Sequence, residues 1–229
     1  MSVSDHYNNA ALHFRESSHC SAQRSAHNRV KSAILSDALC LLRADLKDCV
    51  VVDYACGRGG DVNKLRVCNS YFGVDVASHA LAELKRRAGE VRLPLTDLVC
   101  CDAADVPWQG LNADISLLNF ALHYFTDSEA HCTKLIQRIA RNTGDGGLWC
   151  GTAVCSRKLA EDNSARGRIP SDIEITEQPW GHGYTYTYGE LVNAREYVIN
   201  FDAIVRIAFK HGFYLVLRRG FVEYAKSRS

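Results

Sequence analysis

The sequence lacks the long apolar runs and the paired cysteines that mark several large classes of protein. No apolar run in its 229 residues approaches the roughly 18 residues of a membrane-spanning helix, and residues 1–15 are too polar for a secretory signal. Its ten cysteines form no Cys-x-x-Cys pair, which argues against a zinc site and against a disulfide framework. We therefore expect no membrane span, no bound metal and reduced thiols in a reducing compartment.

The sequence also has almost no excess of either charge. Its 27 lysines and arginines nearly balance 26 aspartates and glutamates, which leaves a formal net charge of +1. Proteins that bind along a nucleic-acid backbone neutralise many phosphates with a broad cationic surface, and this composition does not supply one. If the chain acts on RNA, we expect the contacts to be confined to one end of the RNA.

Alternating apolar patterns predict the fold. Residues 49–55 form a continuous, β-branched run ended by glycines, which is typical of a strand buried on both faces. Similar runs recur at 71–76, 97–101, 114–119 and 148–154, and amphipathic patterns predict helices at 24–42, 77–88 and 128–141. Because strands and helices alternate, we expect a parallel sheet with helices on both faces.

The C-terminal pattern predicts how the sheet ends. Residues 202–211 indicate a helix closed by Gly212, and the runs at 214–217 and 221–224 predict a hairpin. This α/β arrangement resembles the Rossmann-like class I methyltransferase fold, with a mostly parallel seven-stranded sheet that ends in an antiparallel hairpin. We expect one methyltransferase domain over 1–229, made of an N-terminal helical segment (1–45), a cofactor-binding core (46–155) and a substrate-side part with an insertion, a helix and the terminal hairpin (156–229).

A glycine-rich segment and two acids indicate a nucleoside site. Asp53-Tyr-Ala-Cys-Gly-Arg-Gly-Gly-Asp61 lies where the first strand turns into a helix, and its glycines let the backbone approach a ligand. Ala55 stands where the dinucleotide-binding pattern needs its first glycine, which argues against a loop that binds a pyrophosphate. Asp75 and Asp102 end the next two strands, where carboxylates can accept the hydroxyls of a ribose and the amine of an adenine. Together these features favour the adenosine of S-adenosylmethionine.

Three segments of the chain resemble the cellular and viral mRNA cap guanine-N7 methyltransferases. They are His6-Tyr7-Asn8 together with residues 24–35, the glycine segment 53–61, and Asn119-Phe-Ala-Leu-His-Tyr124; weaker similarity continues through 184–201. The third segment is the more family-specific, because the glycine loop is common to methyltransferases. The resemblance implies methyl transfer from S-adenosylmethionine to N7 of the guanine in the 5′ mRNA cap, with S-adenosylhomocysteine as product and no metal.

The resemblance also implies roles for individual residues. Lys31 matches the lysine that pairs with the methionine carboxylate of the cofactor, and Phe221 matches an aromatic residue that closes the pocket. The implied cofactor-binding residues are Lys31, Asp53, Ala55, Gly57, Asp75, Asp102, Asn119 and Tyr124. The implied cap-binding residues are Asn28, Arg58, Lys64, His123, Tyr186, Tyr188, Glu196 and Phe221.

The chemistry of guanine agrees with these assignments. Guanine presents the N1 proton and the N2 amine side by side, and one carboxylate such as Glu196 can accept from both. Tyr186 and Tyr188 would point the same way along a strand and offer a stacking surface. N7 carries a lone pair and no proton, so in-line attack on the sulfonium methyl needs no general base, and catalysis becomes positioning by His123 and Tyr124.

Two other functions stay open on the sequence alone. A methyltransferase of the same fold that acts on a small molecule would need neither Glu196 nor Tyr186. An inactive cap-binding or scaffold subunit is conceivable because Ala55 replaces a glycine that is usual in the family. The resemblance further implies capping partners, either a guanylyltransferase or triphosphatase or a small activating subunit, no membrane, and a nuclear location, or a cytoplasmic one for a viral protein.

Overall fold

A parallel sheet forms the centre of the molecule. The computed structural model describes residues 18–155, 159, 165–166, 169, 172–188 and 192–226, so His6-Tyr7-Asn8 lies outside the described residues. The strands follow the order β3-β2-β1-β4-β5, and every neighbouring pair is parallel. The strands are β1 (Val50–Tyr54), β2 (Ser70–Asp75), β3 (Leu95–Cys100), β4 (Ala113–Asn119) and β5 (Thr143–Thr152).

Helices precede, connect and follow the strands. They are α1 (Ser18–Leu42), α2 (Val62–Leu65), α3 (Ser78–Val91), α4 (Glu129–Asn142), α5 (Asp172–Glu177), α6 (Phe201–Lys210) and α7 (Phe221–Lys226). Short 3-10 turns occur at Leu46–Asp48, Ala103–Asp105 and Leu122–Tyr124. Across the described ranges, none of these helices combines the length and the apolar character needed to cross a bilayer.

Both faces of the sheet are buried, as the apolar run of β1 predicts. Val52 packs in a cluster with Ile136 of α4 and Ile204 of α6. Its neighbour Val51 points to the other face and packs with Leu84 of α3. Successive side chains of a strand point to opposite faces, so a strand covered on both sides has no polar alternation. The parallel α/β architecture is therefore confirmed.

β1 pairs with β2 on one side and with β4 on the other, so the order of the strands along the sheet changes direction between β1 and β4. In open α/β sheets, ligands bind at the carboxyl ends of the strands where the strand order reverses in this way. The glycine segment that follows β1 and the segment that follows β4 both begin at this point. The fold thus brings together two of the three segments that the sequence singled out.

The predicted C-terminal hairpin is wrong. Residues 213–220 form no strand, Tyr214 is 74% exposed, and residues 221–226 form α7. An apolar run becomes a strand only where a neighbouring strand edge pairs with it, and the run itself does not specify that partner. Phe221 and Tyr224 also have helical spacing, and the buried Tyr224 hydroxyl donates to Asp37 of α1. The parallel sheet therefore has five strands among the described residues, not seven.

A second, antiparallel sheet follows the parallel one along the chain. It contains β6 (Ala165–Arg166), β7 (Gly183–Tyr188) and β8 (Val192–Tyr197) in that order. In this sheet Tyr184 stands directly opposite Glu196. Tyr184 is buried in a small apolar cluster with Ile175 and Val198. The extended conformation expected for Tyr186 and Tyr188 is confirmed by β7.

Candidate active site

The loop after β1 opens a space at the carboxyl edge of the sheet. Ala55, Gly57 and Gly59 take left-handed backbone conformations, with φ of +54°, +53° and +71°. A Cβ at Gly59 would come within 2.9 Å of the Leu84 side chain, so glycine there lets α3 pack against the loop. A Cβ at Gly57 would meet nothing within 4 Å. The loop therefore has an open side at Gly57, next to the carboxyl edge of the sheet.

Ala55 carries backbone strain that a glycine would relieve. A non-glycine residue in the left-handed region destabilises the folded state by about 1–2 kcal/mol. Glycine avoids this strain, but it lowers stability by roughly 0.4–1 kcal/mol because it raises the conformational entropy of the unfolded chain. We expect Ala55→Gly to raise the free energy of unfolding by up to about 1 kcal/mol, as measured by denaturant titration, without weakening the binding of S-adenosylhomocysteine. Ala77→Gly, at an ordinary φ of −95°, is the control and should destabilise the protein. A loss of stability in Ala55→Gly would show that packing of the methyl group outweighs the strain.

Asp75 ties the glycine loop to the end of β2. Its Oδ2 accepts the Gly57 N–H at 2.8 Å and its Oδ1 accepts the Ala77 N–H at 2.9 Å. Burial raises the pKa of Asp75, while these backbone hydrogen bonds act in the opposite direction. A third backbone hydrogen bond comes from Val76. A carboxylate has about four acceptor positions, so Asp75 keeps acceptor capacity for a ribose hydroxyl.

Asp53 and Asp102 differ in their surroundings. Asp53 is buried beneath the loop and accepts the Tyr71 hydroxyl at 2.9 Å. Burial, followed by the charge of Asp61, raises the pKa of Asp53 to about 7. Asp102 is partly exposed after β3, and its Oδ1 accepts the Ala104 N–H at 2.8 Å. Asp102 is therefore the better placed of the two to meet a ligand directly.

Asp61 is a site residue that the sequence analysis did not single out. Its Oδ2 lies 2.8 Å from Lys31 Nζ and its Oδ1 lies 2.7 Å from Lys64 Nζ, with only 10% of the side chain exposed. The amide of Asn119 donates to the same carboxylate at 3.4 Å, and Lys64 also donates to Asn28 at 3.3 Å. One acid thus joins two predicted cofactor residues to two predicted cap residues.

Glu196 is the centre of a buried polar cluster. It is 4% exposed, and its Oε2 accepts the Tyr184 hydroxyl at 2.7 Å. Its Oε1 accepts the Tyr124 hydroxyl at 3.3 Å and lies 3.4 Å from His123 Nε2. The structure therefore brings together three predicted residues from two distant parts of the chain, His123 with its neighbour Tyr124 and Glu196. Tyr184 completes the cluster, and its position opposite Glu196 in the sheet explains why.

His123 is neutral, and its two ring nitrogens have unused hydrogen-bonding capacity. Burial lowers the pKa of His123 to about 3. Neither ring nitrogen has a hydrogen-bond partner in the described part of the chain, although Nε2 lies 3.4 Å from Glu196 Oε1. A buried polar group left without a partner costs about 1–3 kcal/mol. The unmet hydrogen-bonding capacity of His123, beside a buried carboxylate, fits the polar edge of a base.

The remaining predicted residues lie around this cluster or farther from it. Arg58 approaches Glu83 of α3 at 3.8 Å. Tyr186 is partly buried against the apolar cluster of Tyr184, whereas the side chain of Tyr188 lies outside the described residues. The ring of Phe221 lies 5.5 Å from that of His27.

An aromatic cluster joins α1, α7 and the segment after β4. Phe120 lies 4.9 Å from His27 and 5.7 Å from Phe221, measured between ring centroids. Phe120 also has a φ of +54°, which is unusual for a bulky residue. The left-handed turn at Phe120 begins the segment that carries His123 and Tyr124.

No cluster of three or more metal-ligand side chains occurs in the described ranges.

Solved structures with similar folds include S-adenosylmethionine-dependent methyltransferases. The PH0226 protein of Pyrococcus horikoshii superposes with a TM-score of 0.60 at 16% identity, covering 80% of this chain and 81% of its own. An S-adenosylmethionine-dependent methyltransferase of Clostridium acetobutylicum gives a TM-score of 0.60 at 15% identity, covering 80% and 79% of the two chains. At these identities the similarity establishes the fold alone.

The relatives found by sequence indicate a narrower family than the structural neighbours do. An mRNA cap guanine-N(7) methyltransferase of Caenorhabditis briggsae is 26% identical over 252 residues, covering 96% of this chain and 66% of the relative. The enzyme of the same description from Oryza sativa is 27% identical and covers 97% and 68%. The chain thus spans about two thirds of the length of these relatives. The mRNA (guanine-N(7))-methyltransferase domain matches residues 1–229, and the chain belongs to that family.

Proposed function

We propose that this chain transfers a methyl group from S-adenosylmethionine to N7 of the guanine in the 5′ mRNA cap. The observation that carries the proposal is the buried Glu196 carboxylate, which lies beside His123 and Tyr124. A carboxylate accepts from the two adjacent donors of guanine, whereas adenine would present a mismatched edge. The names of the C. briggsae and O. sativa relatives support the same substrate.

The cofactor side of the site is assigned to residues at the carboxyl edge of the sheet. S-adenosylmethionine supplies the methyl group as a sulfonium, which makes it an electrophile. Lys31 would hold the carboxylate of its methionine portion, Asp75 the ribose hydroxyls and Asp102 the adenine amine. Asn119 lies at the end of β4, where Thr152 Oγ1 donates to its Oδ1 at 3.2 Å and fixes the amide. Each assignment matches a charge or a hydrogen-bonding group of the ligand.

Catalysis in this proposal is alignment of the two substrates. The guanine N7 has a free lone pair, so no side chain has to remove a proton. Holding the reacting atoms in line at near-attack distance can supply roughly 7–11 kcal/mol of rate acceleration. The segment from Asn119 to Tyr124 begins at the cofactor side and ends at Glu196, so one short connection positions both sides of the site.

His123→Ala should slow methyl transfer without abolishing it. The neutral imidazole contributes hydrogen bonding and packing, and loss of one such contact costs about 1–3 kcal/mol, or roughly 5- to 150-fold in rate. Single-turnover kinetics on capped RNA, with circular dichroism to confirm folding, measures the effect. His123→Asn keeps a polar group and should lose less. Complete loss of turnover in a folded His123→Ala protein would contradict catalysis by positioning alone.

The proposed reaction is tested by transfer of a labelled methyl group to RNA of defined 5′ end. We expect transfer to GpppA-terminated RNA and none to ApppA-terminated RNA, and a cap analogue should compete. Equal transfer to both RNAs would refute recognition of guanine. Binding of cap analogue without transfer would instead favour an inactive cap-binding subunit, and methylation of neither RNA with retained cofactor binding would favour a small-molecule enzyme.

The proposed reaction also suggests where the chain acts. Its substrate is the product of a triphosphatase and a guanylyltransferase, so we propose association with enzymes of those two classes, or with a small activating subunit. We also propose a nuclear location, because capped ends arise there, or a cytoplasmic one for a viral protein. Co-purification with guanylyltransferase activity tests the association.

A further inference from the structure

A histidine lies between two carboxylates beside the predicted adenine position. His131 is in the first turn of α4, and its Nδ1 lies 2.7 Å from Asp127 Oδ1. Its Nε2 lies 3.3 Å from Asp102 Oδ2, and its ring packs edge-on against Phe125. A neutral imidazole carries only one N–H, so two carboxylate contacts require the doubly protonated form. Two carboxylates that face one ring therefore favour the imidazolium, which has a donor for each acid.

These contacts determine how Asp102 is held. One carboxylate oxygen faces His131, and the other accepts the Ala104 N–H at 2.8 Å. The two donors come from α4 and from the 3-10 turn that follows β3, so the plane of the carboxylate is set by two separate elements. With this orientation fixed, the remaining acceptor positions of Asp102 point in defined directions.

We propose that His131 is a positioning residue that orients Asp102 to read the adenine amine of S-adenosylmethionine. The inference rests on the proposed function, because Asp102 is assigned to adenine there. His131 itself would not touch the ligand. Its role is to keep the acceptor charged and correctly turned, as second partners of ligand-binding side chains commonly do.

The charges around His131 support its protonated form. The hydrogen bond to Asp102 is the largest contribution, burial opposes it, and Asp127 adds to it, so that the pKa of His131 rises to about 9. Burial raises the pKa of Asp102, but the hydrogen bonds from His131 and Ala104 together bring it below its usual value.

Two other charged groups lie nearby. Lys134 of α4 pairs with Asp105 of the 3-10 turn and also favours the ionised form of Asp102. Glu129 occupies the exposed first turn of α4. The raised pKa of His131 means that the ring can donate to both acids at neutral pH and that one of the two donors is lost as pH rises through about 9. The contact of Nδ1 to Asp127 is the shorter one at 2.7 Å, so we expect Nε2, which faces Asp102, to lose its proton.

The test compares two ligands that differ at the adenine amine. S-adenosylhomocysteine carries the amine, and S-inosylhomocysteine carries a carbonyl in its place. We expect His131→Ala to weaken S-adenosylhomocysteine about tenfold in calorimetry, the low end for a lost hydrogen bond to a charged group, and to change S-inosylhomocysteine less than twofold. Glu129→Gln is the matched control on the same helical turn and should change neither ligand.

The pH dependence provides a second readout that a purely structural role would not move. The affinity of the unmodified chain for S-adenosylhomocysteine should fall between pH 8 and pH 10 relative to that of His131→Gln. The ratio of the two affinities at each pH cancels the effect of the ligand's own amine, which titrates equally in both measurements. Asp127→Asn should reduce this decline, because its amide can donate to Nδ1 and leave the N–H of the neutral imidazole on Nε2 toward Asp102.

The possible outcomes separate this inference from the proposed function. Equal weakening of both ligands by His131→Ala, or no weakening of either, would overturn the positioning role while leaving the cofactor assignment intact. If His131→Ala does not fold, a decline between pH 8 and pH 10 that is the same in Asp127→Asn as in the unmodified chain would overturn it. Failure of the unmodified chain to bind S-adenosylhomocysteine would overturn the proposed function and the inference together.

Discussion

Replacing Glu196 by glutamine is expected to lower kcat/KM for capped RNA by roughly 100-fold, which corresponds to a lost hydrogen bond to a charged group of about 3 kcal/mol. The amide keeps the size of the side chain but presents one oxygen and one N–H₂ group to the guanine edge, so one of the two guanine donors meets another donor. Binding of S-adenosylhomocysteine should stay within about twofold, because Glu196 belongs to the guanine side. Steady-state kinetics and calorimetry measure the two effects.

The neighbours of Glu196 provide matched controls for this experiment. Tyr184→Phe removes the hydroxyl that donates to Glu196 at 2.7 Å but leaves the carboxylate in place. Its effect should be smaller, about 5- to 10-fold, because one neutral donor is lost. Burial raises the pKa of Glu196, and only the ionised form accepts both guanine donors, so activity should increase as pH rises through that pKa. An unchanged kcat/KM in Glu196→Gln, or an equal loss of cofactor binding, would contradict the assignment.

Asp75→Ala should weaken the binding of S-adenosylhomocysteine at least 100-fold, the second of the two largest effects we expect. The substitution removes the acceptor for the ribose hydroxyls and also leaves the N–H groups of Gly57 and Ala77 without the partner they have at 2.8 and 2.9 Å. Loss of two hydrogen bonds to a charged group amounts to about 3 kcal/mol or more. Calorimetry on the folded variant measures the change.

The control for Asp75→Ala is an acid outside the site. Asp202→Ala removes an exposed carboxylate of α6, which approaches only Arg218 at 3.7 Å among the described ion pairs. It should leave both affinity and stability nearly unchanged, because exposed ion pairs contribute about 0–1 kcal/mol. If Asp75→Ala bound S-adenosylhomocysteine as well as Asp202→Ala does, the ribose would have to be held elsewhere.

The parallel core was predictable because burial leaves a pattern in the sequence. The run at 49–55 is apolar without alternation, and both faces of β1 are covered, Val51 on one side and Val52 on the other. Helix spacing predicted α4 equally well, since Cys132, Leu135 and Ile139 all lie on its buried face. In both cases the pattern follows directly from which side chains are excluded from water.

The C-terminal segment was not predictable in the same way. The runs around Leu215 and Phe221 have strand-like composition, yet the first is an exposed loop and the second begins α7. Strand formation depends on an available edge, whereas the helix is favoured by the contact of Tyr224 with Asp37, which lies far away in sequence. Local composition carries no information about such a distant partner.

The residues of the site also divide into those whose position the sequence predicts and those that only the folded chain shows. The positions of Asp75 and Asp102 were predictable because parallel strands bring their carboxyl ends to one edge of the sheet; their binding roles stay predictions. Asp61, Tyr184 and His131 were missed because their roles depend on contacts between distant segments. A signal for Asp61 was present, since it ends the glycine segment, but its pairing with Lys31 of α1 is visible only in the folded chain.

A crystal structure with S-adenosylhomocysteine and the cap analogue GpppA bound together tests the central claim most directly. We expect the Glu196 carboxylate to accept from guanine N1 and N2, with guanine N7 facing the sulfur of a ligand whose ribose is held by Asp75. A guanine bound elsewhere, or a Glu196 that makes no hydrogen bond to the guanine, would contradict the account.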